Sequence, residues 1–138
     1  MILDKNIHWQ KAYGENIPFE DNFFDVVISS NAIDHVKNVK ETIKEVKRVL
    51  KPKGKLILTV DIFKKNFKRD ERHPYTFIEQ DILDLLKDFK IIFKKVSKVN
   101  ASFYRFLKGK DFKKEYSYFL KDKQTNLGAG ELVIVADF

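Results

Sequence analysis

The chain has no cysteine, so disulfide frameworks and thiolate metal centres are excluded from the start. It has only 3 prolines and 5 glycines, too few for a collagenous, loop-dominated or low-complexity protein. Nowhere does an apolar run approach the ~20 residues that a membrane-spanning helix requires, and the first residues lack a signal-peptide pattern. A cytoplasmic location is therefore the expectation, with no membrane partner. Arginine is also scarce. Of the 27 basic residues only Arg48, Arg69, Arg72 and Arg105 are arginines, and the lysines run along the whole chain. Base readout and bidentate phosphate binding lean on arginine, so the net charge of +7 reads as solvated lysine faces, and nucleic acid is not the expected partner.

What is present is a globular composition. Hydrophobic residues make up 43% of the 138-residue chain and aromatics 14%, enough to bury a core within a single domain. The stretch from Phe24 to Val60 is the most ordered in pattern. Val26-Val27-Ile28 is an apolar run without alternation, as in a strand covered on both faces. Leu56-Ile57-Leu58 with Val60 is a second run of the same kind. Between them Val39, Ile43, Val46 and Leu50 recur at helical spacing and leave the charged residues on the other faces. Asn38 is the expected N-cap, with Glu41 placed as in a capping box. Pro52 ends the helix and Gly54 is available for a left-handed turn. The sum is a β-α-β unit with parallel strands and a right-handed crossover.

These motifs resemble the second half of a class I S-adenosylmethionine-dependent methyltransferase of the "type 11" kind. The matching residues are Glu15-Asn16-Ile17-Pro18-Phe19, Phe24-Asp25-Val26-Val27, His35, and Arg48-Val49-Leu50-Lys51-Pro52-Lys53-Gly54. Lys53 stands where the family pattern has glycine. The resemblance covers roughly Asn6 to Val60 well, and several linked motifs in the right order make it specific. It implies an α/β fold: a Rossmann-like, mainly parallel sheet with one antiparallel strand and helices on both faces. The family's full strand order is 3-2-1-4-5-7-6, with the cofactor at the carboxyl ends of the strands where that order reverses.

By this resemblance the cofactor is S-adenosylmethionine and the acceptor a small molecule. Glu15, Asn16 and Ile17 would lie against the adenine, with Tyr13 at the position where the family commonly has Asp. Ser30 and Asn31 would lie near the methionine portion, and His35 at the substrate mouth as the candidate catalytic residue. His35 could take a proton, orient an acceptor, or serve structure alone. Asp34 beside it could raise its basicity or cap the next turn. His8 reads as a half-buried strand position, and no metal site is expected.

The resemblance also implies a missing portion. The family's opening strands and glycine-rich turn have no counterpart here, since Gly128-Ala129-Gly130 precedes an apolar strand instead of following one. The chain thus reads as one partial methyltransferase domain over residues 1–138, truncated or split. The strand at Asp25–Ser29 would be left with an open edge, to be covered by Asn6–Ala12 (read as a strand) or by a second chain. Weak cofactor binding by the chain alone is the corollary.

The remaining segments follow in order. Asp61 to Tyr75 is a basic loop, either solvated or a cover for an anionic substrate. Thr76-Phe77-Ile78-Glu79 looks like a capping box, opening a helix that buries Ile78, Ile82, Leu85 and Leu86. Lys90 to Val99 and Glu131 to Phe138 read as strands, the latter as the antiparallel one inserted beside the second run. Asn100 to Leu127 interleaves aromatics with lysines and suits either core packing or base stacking. Two other functional readings stay open: a catalytically inactive remnant that pairs with a methyltransferase subunit, and a basic RNA-binding module.

Overall fold

The computed structural model describes residues 7–67, 71–97 and 129–138. The elements are β1 (Phe24–Ser30), α1 (Val39–Val49), β2 (Leu50–Phe63), α2 (Glu79–Leu85), β3 (Lys90–Ser97) and β4 (Ala129–Asp137). The sheet runs β1-β2-β4-β3. β1 and β2 are parallel, with Ile28 opposite Ile57 and Ser30 opposite Thr59. β4 lies antiparallel to both β2 and β3, so β3 is parallel to β2. This is the expected mainly parallel sheet with one antiparallel strand, in the order 4-5-7-6.

Helix α1 forms where the apolar spacing places it. Asn38 caps it, its Oδ1 accepting from the N–H groups of Lys40 and Glu41. Val39, Ile43, Val46 and Val49 are buried. Val39, Ile43 and Val46 pack in one core with Leu56, Leu58, Val60, Ile62, Leu132, Ile134 and Ala136, the alternate residues of β2 and β4 that share a face. Ile82 and Leu86 belong to the same core, so α2 covers that face too. Two expectations fail here for one reason. Both crossovers, β1 to β2 and β2 to β3, step across the sheet in the same direction. A right-handed connection then puts both described helices on one face instead of both. The opposite face carries the row Ile28, Ile57, Val135 and Phe93, with Ile28 68% exposed and Phe93 49% exposed. Among the described residues β1 is therefore covered on one face only.

The helix that follows β2 is capped differently from the sequence reading. The Asp81 carboxylate, not Glu79, accepts from the N–H of Ile78 at 2.9 Å. Thr76 instead bonds both the N–H and the carbonyl of Phe67. The turn into β2 also differs. Lys53, not Gly54, adopts the left-handed conformation, with φ 67°. Gly54 is required by space, since a Cβ there would sit 2.8 Å from the Lys51 carbonyl oxygen.

Residues 7–12 form no strand and are exposed, with Trp9 at 76%. An extended segment needs a neighbour to satisfy its N–H and C=O groups, and no described strand is paired with it. Nor does it lie beside β1, whose outer edge is unpaired among the described residues. The aromatic stretch Asn100–Leu127 and the basic residues Lys68 and Arg69 lie outside the described residues. No described helix is long and apolar enough to cross a membrane.

Candidate functional site

The carboxyl ends of β1 and β2 gather most of the residues that the sequence singles out. Ser30 ends β1, and its Oγ accepts from the Thr59 hydroxyl of β2 at 3.4 Å. Asn31 follows with φ 52°, and its N–H donates to the Thr59 carbonyl at 2.9 Å. That bond extends the parallel ladder by one residue and then turns the chain away. The Asn31 Oδ1 is buried and has no hydrogen-bond partner among the described residues. A buried acceptor left unsatisfied costs about 1–3 kcal/mol, so this atom marks a place where a donor fits.

The loop continues through Asp34 and His35 to the start of α1. Asp34 is buried and His35 largely exposed. The loop's far end is held by three neighbours. The Glu15 Oε1 accepts from the N–H groups of Lys37 and Asn38, the Tyr75 hydroxyl donates to the Lys37 carbonyl, and the Lys37 ammonium lies over the Tyr13 ring. Those amide bonds, that of Asn38 first, hold the Glu15 carboxyl below its ordinary value. Its Oε1 therefore braces the α1 N-terminus.

The predicted adenine-facing trio divides. Glu15 sits at the start of α1, whereas Ile17 lies further along the helix. The Ile17 N–H donates to Glu45 at 2.9 Å and its carbonyl accepts from Arg48 at 2.8 Å. Asn16 is exposed between them, its N–H bonded to the Tyr13 carbonyl. Arg48 also donates to the Phe19 carbonyl and to Asp21, so the whole 15–21 segment is strapped along α1. The same guanidinium pulls the Glu45 carboxyl down to about 2.

Sequence reasoning missed one grouping. His73, on the segment between β2 and α2, stacks obliquely on His35 with ring centroids 4.3 Å apart. The two imidazoles and the Asp34 carboxylate place their donor atoms within 4.8 Å of one another. The separation in sequence hides this, because no helical or strand period links residue 35 to residue 73. Asp61 of β2 is a second buried acid that carries no sequence signal.

Comparison with known proteins finds likeness in the first part of the chain. Residues 2–58 match the family model described as a methyltransferase domain. The uncharacterized protein YafE of Escherichia coli (strain K12) is 37% identical over 84 residues, covering 61% of this chain and 37% of YafE. The ubiquinone/menaquinone biosynthesis C-methyltransferase UbiE of Stutzerimonas stutzeri (strain A1501) is 38% identical over 61 residues, 41% of this chain and 24% of that protein. The chain thus spans well under half the length of these relatives. Among solved structures, geranyl diphosphate C-methyltransferase from Streptomyces coelicolor A3(2) superposes with a TM-score of 0.73 at 11% identity. It covers 93% of this chain and 51% of that one, and was crystallised with Mg2+, geranyl diphosphate and S-adenosyl-L-homocysteine. At that identity the likeness is one of fold: β1-β2-β4-β3 resembles part of a Rossmann-like sheet.

Proposed function

We propose that this chain contributes to methyl transfer from S-adenosylmethionine to a small-molecule acceptor, and that it forms one part of the complete catalytic unit. The observation that carries this is the Asn31 Oδ1, buried and without a described partner at the carboxyl end of β1. In open α/β sheets that end is where ligands sit, and an unsatisfied carbonyl oxygen there accepts from a donor such as an α-ammonium group. When bound, S-adenosylmethionine supplies an electrophilic methyl group on its sulfonium. The fit is partial. Ser30 and Asn31 suit the amino-acid end of the cofactor, and His35 stands at the rim to orient an acceptor or take its proton. Among the described residues no glycine follows a strand to make a cofactor turn.

The unpaired outer edge of β1 and the exposed Val26 and Ile28 support the second half of the proposal. A further polypeptide segment, from the same or another chain, would pair with that edge and supply the absent wall of the site. We place the protein in the cytoplasm. Nothing among the described residues favours nucleic acid over this reading.

The test is an NMR titration of the 15N-labelled chain with S-adenosylmethionine. Weak binding, on the order of 1 mM, is expected, with shifts confined to the amides of Ser30, Asn31 and His35 and reduced in Asn31→Ala. No localised shift at ~10 mM ligand would end the methyl-transfer reading. Micromolar affinity by calorimetry would instead show that the chain needs no second segment.

A further inference from the structure

We infer that Asp34, His35 and His73 form a binding site for a divalent transition-metal ion at the rim of the sheet. The geometry starts from a hydrogen bond whose direction is fixed. The His35 Nδ1 lies 2.7 Å from the Arg72 carbonyl oxygen. A carbonyl can only accept, so Nδ1 carries a proton and Nε2 is the ring nitrogen available to a ligand. That Nε2 faces the Asp34 Oδ1 at 3.8 Å. These two candidate ligand atoms lie closer than the roughly 4.5 Å spanned by a water bridging two acceptors. A metal cation held by both suits that spacing.

A metal ion bound at ~2.0–2.2 Å from each ligand holds donor pairs about 3–4 Å apart. The His35–Asp34 spacing already lies in that range. His73, whose donor atom falls within the same 4.8 Å group, completes the set. The imidazole orientation is the one metal sites use, with the far nitrogen donating to a backbone carbonyl that fixes tautomer and ring plane. Asp34 is 4% exposed and so is rigidly placed, and its carboxylate supplies the negative charge a dication needs.

The donor set selects the ion. Two imidazoles and one carboxylate suit Zn2+, Co2+, Ni2+ or Fe2+, and they suit Mg2+ and Ca2+ poorly, since those ions prefer all-oxygen shells. Three protein ligands leave at least one position open, as in sites that bind a substrate or an activated water. That position opens outward, because the His35 side chain is 45% exposed. The proposal goes beyond the methyl-transfer reading and does not require it.

The experiment uses the full, tag-free chain after chelator treatment, titrated with Zn2+ by calorimetry and with Co2+ by visible absorption. One equivalent should bind in the micromolar range, and Co2+ should give d–d bands of a four- or five-coordinate nitrogen–oxygen site. Asp34→Asn, His35→Ala and His73→Ala should each weaken binding at least tenfold. His8→Ala, which alters the third histidine of the chain at an exposed position outside the cluster, should leave it unchanged. Metal-free melting curves of His73→Ala and His73→Gln check that both fold. If the gap is filled by a proton alone, as an imidazolium–carboxylate pair, no stoichiometric metal binding appears and the proposal fails. It fails equally if affinity is unmoved by His73→Ala, or falls as much with His8→Ala.

Discussion

Two adjacent residues at the turn into β2 should respond to substitution in opposite directions. Lys53 is held at φ 67°, where a side-chain-bearing L-residue carries a cost of roughly 1–2 kcal/mol. Lys53→Gly removes that cost but adds about 0.5–1 kcal/mol of backbone entropy to the unfolded chain. The net expectation is a gain of about 0.5–1 kcal/mol. The backbone bonds that lock the turn, Lys53 N–H to the Phe138 carbonyl and Phe138 N–H to the Gly54 carbonyl, do not depend on the side chain. Gly54→Ala faces the reverse situation. Its new Cβ would lie 2.8 Å from the Lys51 carbonyl oxygen and 3.2 Å from that of Asp25, both backbone atoms that cannot swing aside. Forcing those strands apart should cost about 1–3 kcal/mol. Urea unfolding followed by circular dichroism measures both, with the slope m expected to stay constant. In thermal melts the Lys53→Gly variant should gain about 2–4 °C. A loss of stability in Lys53→Gly together with a neutral Gly54→Ala would show that the glycine, not the lysine, holds the left-handed turn.

Three further outcomes follow from the same structure. Arg48→Ala deletes hydrogen bonds to the Ile17 and Phe19 carbonyls and the ion pairs to Glu45 and Asp21, and should lower the urea unfolding midpoint; an unchanged midpoint would mean the 15–21 strap is not held by Arg48. The folded Glu45 carboxyl lies near 2 against an ordinary 4.5, first because of its bond to Arg48. Its contribution is thus present above about pH 4.5 and is lost as pH falls from there through about 2. Glu45→Gln should flatten the acid limb of the stability–pH curve in that window, and an unchanged limb would contradict the assignment. Ile28→Lys places a charge on the open edge strand at a 68% exposed position. It should reduce self-association in sedimentation velocity while changing stability by less than ~0.5 kcal/mol; wild-type chain that is monomeric at high concentration would remove the edge as an association surface.

Much of the architecture was readable before any coordinates. The Val39, Ile43, Val46 spacing and the Asn38 cap fix α1, because a helix registers its apolar period and its terminal donors in local sequence. The apolar runs on either side of it set β1 and β2 as parallel partners, since a helical crossover leaves them no other arrangement. The placement of β4 between β2 and β3 was expected from the resemblance, and the pairing of Leu58 with Ile134 agrees with it. Local signals failed where a neighbour decides the outcome. Asn6–Ala12 has strand-like residues but no described partner, and the run Val26-Val27-Ile28 cannot say whether a second layer will cover it. Gly54 looked like a turn residue, yet the close approach of two carbonyl oxygens is what demands it.

The functional residues divide along the same line. Ser30, Asn31 and His35 follow a strand end, a position that sequence order reveals by itself. The brace that Glu15 gives to the α1 N-terminus depends on contact across 23 residues, and Tyr75 reaches Lys37 across 38. His73 meets His35 only because the segment after β2 returns over the end of β1. Chain order determined the β-α-β unit, because period and capping act between near neighbours. The tertiary structure alone decided which acid stands beside which imidazole, because that depends on how separate loops converge at the end of a sheet.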